Sequence, residues 1–97
     1  MKIANRNIGP EFPPLVIAEL GINHGGSLED AKKIVIEAHK SGAEIIKHQT
    51  HIVDKEMSAH AKKVIPGNAD ESIFEIMKNN SISTDEEIIL KNFVESL

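Results

Sequence analysis

The chain has 97 residues, a net charge of -4 and no cysteine, which bounds it to one small domain and excludes disulfides, thiolate nucleophiles and zinc–thiolate sites. Aromatics are only 3%, with no Trp and no Tyr, so there is no aromatic platform on which single-stranded nucleic acid could stack. A mildly acidic chain is also a poor match for a phosphate backbone, and no nucleic-acid partner is expected.

Residues 1–14, "MKIANRNIGPEFPP", lack the apolar core of a signal peptide. No apolar run in the chain approaches the ~20 residues of a membrane span, so no membrane partner is expected and a cytoplasmic location is the expectation. Gly9-Pro10 and Pro13-Pro14 make this segment an extended lead-in with turns. A short hairpin over Lys2–Ile8 is expected within it. "LVIAELG", Leu15 to Gly21, is a near-continuous apolar run bounded by Pro14 and Gly21. That pattern predicts a strand buried on both faces. The loop "INHGG" then offers backbone N–H groups ahead of a helix, which suits an anion. It lacks the spaced glycines of a dinucleotide or P-loop fingerprint, so the signal is weak.

Ser27 has the chemistry of a helix N-cap, with Asp30 as the acidic partner of a capping box. Leu28, Ala31, Ile34, Val35 and Ala38 form one apolar stripe at helical spacing. Gly42 ends the helix, being the residue that best takes a left-handed conformation. A second strand follows from Glu44 to Thr50. Strand, helix, strand in this order predicts parallel strands with a crossover connection. The second half is less regular. It reads as a long connection with a broken helical turn around Ala59–Val64, then a short helix around Ile73, Ile76 and Met77. Ser83 with Glu86 repeats the capping-box pattern and opens a helix through Ile89, Phe93 and Val94.

Side chains on a strand alternate faces. Ile45, Lys47 and Gln49 therefore share one face, and Ile46, His48 and Thr50 the other. On the first strand Leu15, Ile17 and Glu19 oppose Val16, Ala18 and Leu20. With parallel strands, Glu19 and Lys47 emerge at the same carboxyl edge, where parallel α/β folds build their sites. Lys47 there is either one half of a structural ion pair with Glu19 or a cation awaiting an anionic ligand; spacing leaves both open. "HQTH" looks like a metal pair, but His48 and His51 point to opposite faces of a strand. His24, in the loop, is freer. Histidines are more often packed or exposed than ligating.

"IAELGINHGGSLEDAKKIV", "GAEIIKHQTHIVDKEMS" and "VIPGNADESIFEIM" together resemble the N-terminal part of bacterial sialic acid (N-acetylneuraminate) synthases. The resemblance covers about residues 15 to 97. Pseudaminate synthases share the framework, but "KHQTH" and "PGNAD" look closer to the sialic and legionaminic branch. The resemblance implies a fold class of α/β: the N-terminal β-α-β portion of a TIM (β/α)8 barrel, with 15–97 as an incomplete part of it. It implies condensation of phosphoenolpyruvate with N-acetylmannosamine to give N-acetylneuraminate and phosphate. The enolate-like carbon attacks the open-chain aldehyde, water adds to the resulting cation, and phosphate departs. It also implies a homodimer and a divalent metal, Mn or Mg, whose ligands lie in later strands, so His24, His48 and His51 inherit no ligand role.

Residue by residue, Lys47 matches the lysine that holds phosphoenolpyruvate, and Glu19 an active-site glutamate near the reacting carbons. Gln49 and Asn68 match positions that hydrogen-bond the amino sugar, and Met57 lies in a similar loop. A barrel of this type takes about 250 residues. The 97-residue chain is accordingly expected to be an N-terminal segment that is inactive alone. The alternatives are a non-catalytic remnant or partner-dependent binding fragment, and a segment of a legionaminate-type synthase.

Overall fold

The structure is a computed structural model that describes residues 1–97. It opens on the expected hairpin: β1 (Lys2–Ile3) and β2 (Arg6–Asn7) pair antiparallel, with Lys2 opposite Asn7 and Ile3 opposite Arg6. Arg6 ties this hairpin to the rest of the chain. Its Nε and Nη2 donate to the two Glu44 carboxylate oxygens at 2.8 and 3.2 Å, and Nη2 also donates to the Pro13 carbonyl at 2.8 Å. The guanidinium holds the Glu44 carboxyl below the usual range. A fork of this kind fixes direction as well as distance.

The central unit is β3 (Ile17–Gly21), α1 (Leu28–Lys40) and β4 (Ile45–His48). β3 and β4 run parallel, with Ile17 opposite Ile45, Ala18 opposite Ile46 and Glu19 opposite Lys47; a bulge then skips Leu20 and sets Gly21 opposite His48. Gly21 has φ +56°, a conformation that costs glycine little and lets the chain leave the strand. Both strands are shorter than the expected spans Leu15–Gly21 and Glu44–Thr50, although the Val16 carbonyl still accepts from the Glu44 and Ile45 amides.

Ser27 caps α1 by accepting from the Asp30 amide at 3.2 Å. The reciprocal half of the capping box is absent. The Asp30 carboxylate is one methylene shorter than glutamate and instead faces Lys33 at 3.4 Å. Gly42, at φ +93°, donates its amide to the His39 carbonyl and closes the helix as expected.

Beyond β4 come α2 (Val53–Glu56), a 3-10 turn (Ala61–Lys63), α3 (Ile73–Asn79) and α4 (Thr84–Glu95). The capping box of α4 is complete: Ser83 accepts from the Glu86 amide, and Glu86 accepts from the Ser83 amide. α2 was not legible in the sequence, because four residues are too few to show helical periodicity. No helix is long and apolar enough to cross a membrane.

The core is Leu20, Ala31, Val35, Ile82 and Leu90, flanked by Leu28, Ile34, Ile46, Phe93 and Val94. It lies between one face of the β3–β4 pair and the helices α1 and α4. The expectation that the first strand is buried on both faces is corrected here. Leu20, on the helix side, is 2% exposed, whereas Ile17, on the other side, is 50% exposed. Both helices cover the same face, so the front of the sheet stays open.

The loop between β3 and α1 packs on the end of α3 through Gly26. A Cβ added at Gly26 would lie 2.6 Å from the Asn79 carbonyl oxygen, and its φ is +83°. Gly26→Ala is therefore expected to lower stability by about 1–3 kcal/mol from backbone strain alone, and more from the clash. Gly67→Ala, with nothing within 4 Å of the added carbon, serves as control. Urea denaturation followed by circular dichroism checks both; equal midpoints would show that the loop does not need this close approach.

Candidate functional site

On the open face, at the carboxyl edge of β3 and β4, Lys47 Nζ donates to Glu19 Oε1 at 2.7 Å. The pairing follows from register, since the two residues are direct cross-strand partners. Their side chains are 54% and 62% exposed. An exposed pair of this kind is worth about 1 kcal/mol or less. The ion pair exists, yet little energy holds Lys47 to Glu19 if a doubly charged anion competes for it.

Gln49 follows β4 directly and is exposed. Asn68 lies in the turn after the 3-10 segment, also exposed, and no hydrogen bond joins it to Glu19 or Lys47. Met57, half-buried and extended, ends α2. The structure thus brings Glu19 and Lys47 together, sets Gln49 just beyond them, and leaves Asn68 and Met57 on the long connection.

The loop between β3 and α1 does not form an anion cradle. Its amides are used internally: Asn23 to the Leu20 carbonyl, Gly25 to Ile22, Ser27 to His24, and Gly26 to His24 Nδ1 at 3.0 Å. The anion reading of "INHGG" is corrected accordingly.

The opposite side of the same strand ends carries a polar layer that no motif in the sequence announces. Glu87, on α4, accepts from both His48 Nε2 (3.1 Å) and Thr50 Oγ1 (2.9 Å). The His48 and Glu87 side chains are only 18% and 16% exposed. A carboxylate only accepts, so His48 carries its proton on Nε2. Its Nδ1 is buried without a hydrogen-bond partner. The His24 ring stands 5.6 Å from the His48 ring, centroid to centroid. His24 is 2% exposed, and burial together with nearby His48 holds its pKa below the ordinary value of 6.5. His51 and Glu56 form a second pair at 3.0 Å, and the hydrogen bond from His51 lowers the Glu56 pKa. Behind this layer a cleft of about 490 Å³ opens between β4 and α4, lined among others by Ile46, Thr50 and Ile88.

No group of three or more His, Cys, Asp or Glu side chains is arranged to hold a metal ion. Each of the two β4-end histidines is engaged by a glutamate, and His24 accepts from the backbone. These residues offer no donor set for the divalent metal that the resemblance implies, whose ligands the resemblance assigns to later strands.

No family model matches the chain. It is 33% identical over 93 residues to the N,N'-diacetyllegionaminic acid synthase of Legionella pneumophila, which covers 92% of this chain and 26% of that protein. It is 46% identical over 54 residues to the pseudaminic acid synthase of Campylobacter jejuni, covering 56% of this chain and 15% of that protein. In three dimensions it resembles the crystal structure of the spore coat polysaccharide biosynthesis protein SpsE of Bacillus subtilis, with a TM-score of 0.65 at 27% identity over 99% of this chain and 25% of the other. The chain spans about a quarter of the length of the legionaminic acid synthase and of SpsE. It is therefore similar to part of a set of sugar-acid biosynthesis proteins that includes legionaminic and pseudaminic acid synthases.

The buried His24 gives a pH expectation. Its folded pKa lies below its unfolded value, so the folded state favours the neutral ring. This contribution to stability is complete above the unfolded pKa and is lost as pH falls through the window below 6.5. The chain should lose stability from neutral to mildly acidic pH, and His24→Gln should flatten that slope in urea midpoints taken across the range. An unchanged slope would mean that another group governs it.

Proposed function

We propose that residues 1–97 supply part of the active-site wall of a nonulosonic-acid synthase of the sialic acid synthase family, which joins phosphoenolpyruvate to an N-acetylated amino sugar with release of phosphate. The observation that carries this is the Glu19–Lys47 pair at the carboxyl edge of two parallel strands, on the face that the helices leave open. In a (β/α)8 barrel that face lines the interior, and its carboxyl edge is where such barrels act. The similarity to the legionaminic and pseudaminic acid synthases supports the same reading.

In this reading Lys47 exchanges Glu19 for the phosphate or carboxylate of phosphoenolpyruvate, a stronger charge-assisted partner. Glu19 is thereby released next to the reacting carbons. Gln49 and Asn68 hydrogen-bond the amino sugar. Carbon–carbon bond formation uses the electron pair of the enol double bond, water supplies the oxygen at the former enol carbon, and the phosphate leaves with its bridging oxygen. The divalent metal implied by the resemblance has no donor set among these residues. A cytoplasmic homodimer belongs to the same reading.

Two amino sugars fit. "KHQTH" and "PGNAD" look like the sialic and legionaminic branch alike, which keeps N-acetylmannosamine, giving N-acetylneuraminate, as one candidate. The similarity to a legionaminic acid synthase over 92% of the chain favours a diacetamido sugar.

The test is to express the complete reading frame that carries these residues. Phosphoenolpyruvate and manganese are added with N-acetylmannosamine or a diacetamido analogue, and phosphate release is followed. Turnover with one of the two sugars is expected. Lys47→Ala should cost about 1.5–3 kcal/mol in kcat/KM for phosphoenolpyruvate, the worth of a hydrogen bond to a charged group. Absence of phosphate release with both sugars, or unchanged kinetics in Lys47→Ala, would sink the proposal.

A further inference from the structure

The second face of the strand ends has no part in the chemistry above, yet it is the better ordered of the two by hydrogen bonding. The front carries one exposed ion pair. The back carries a partly buried carboxylate, Glu87, that accepts from two side chains of the β4 end at once. The spacing matters. His48 and Thr50 are two apart, so both turn toward α4, and the residues that alternate with them, Lys47 and Gln49, turn toward the open face. Lys47 is in fact found there, on Glu19. Thr50 lies beyond the last ladder residue of β4, which ends at His48. No strand pairing fixes the backbone at Gln49 and Thr50, and the Glu87 bond to Thr50 is what anchors it.

We propose that Glu87 is a positioning residue for the site, clamping His48 and Thr50 so that Lys47 and Gln49 project from a rigid strand end toward the substrates; this rests on the function proposed above. The clamp reaches 39 residues along the chain and couples α4 to the site without touching any substrate. His48 needs Nε2–H to donate to Glu87, and the tilted His24 ring beside it holds the ring from the loop side. His24 in turn accepts from Gly26, so the layer braces the carboxyl ends of both β3 and β4. A clamped strand end presents its side chains already in place, and a displacement of about 1 Å at a reacting group can lower rate about a hundredfold.

A double-mutant cycle on the complete protein tests this, with Lys47→Ala, Glu87→Ala and the pair compared in KM and kcat for phosphoenolpyruvate. Glu87→Ala alone should raise KM for phosphoenolpyruvate at least tenfold while adding little in the Lys47→Ala background, because coupled residues are not additive. Additive effects, or an unchanged KM, would reduce Glu87 to a fold-stabilising residue and overturn the proposal. Indifference to Lys47→Ala itself would overturn both this and the function beneath it. Should Glu87→Ala fail to fold, Thr50→Val removes one arm of the clamp with little change of volume and repeats the cycle, with Thr50→Ser as the rescuing variant. Amide hydrogen exchange on the 97-residue chain gives a readout independent of turnover. Glu87→Gln should speed exchange at the β4 end about tenfold with the α1 amides unchanged, whereas uniform acceleration of all amides would contradict a local clamp.

Discussion

The parallel register of β3 and β4 is the constraint on which the remaining features depend. It sets Glu19 beside Lys47 and Gly21 beside His48. Everything chemically distinctive in the chain lies within a few residues of that edge. A shift of the register by one residue would move Lys47 from the open face to the helix side, away from Glu19. The packing of Ile46 against the core opposes such a shift, because the same slip would turn Ile46 to the open face.

The two faces of this edge have opposite physical characters. The polar groups of the helix face are more enclosed and mostly matched: Glu87 with His48 and Thr50, and His24 with the Gly26 amide. The exceptions are His48 Nδ1 and His51 Nε2, which are buried without partners. The open face is wet, and its single ion pair is weak and easily exchanged. In the proposed function, solvation of the front pair would let Lys47 leave Glu19 for an anion, and the hydrogen-bonded layer behind would hold the strand end in place.

The open face also accounts for the exposure of the apolar side chain of Ile17. Parallel sheets in α/β proteins are usually covered on both sides. Here α1 and α4 share one side, and the core is limited to a few residues between them and the strands. The hairpin fixed by Arg6 covers only the amino-terminal end of the strand pair, through Glu44. The carboxyl edge is left accessible.

The sequence by itself determined the local structure wherever a side chain speaks to its own neighbourhood. Ser27 and Ser83 mark helix starts, Gly42 marks a helix end, and the apolar runs mark two strands. Strand alternation also placed Lys47 and Glu19 on one face, and parallel pairing brought them to one edge. What only the tertiary structure decided are the facts that depend on distant residues. Whether an apolar strand is covered on one face or two depends on where the helices pack, so Leu15 to Gly21 reads the same in either case. Asp30 and Glu86 occupy the same capping position in sequence, and only side-chain reach separates the half cap from the full one. Glu87 sits in the first turn of α4 among other acidic residues and looks like an ordinary contribution to the helix dipole. Its partners lie 37 and 39 residues away, a distance over which no periodicity or motif carries information, and only packing α4 against the β4 end reveals what it holds.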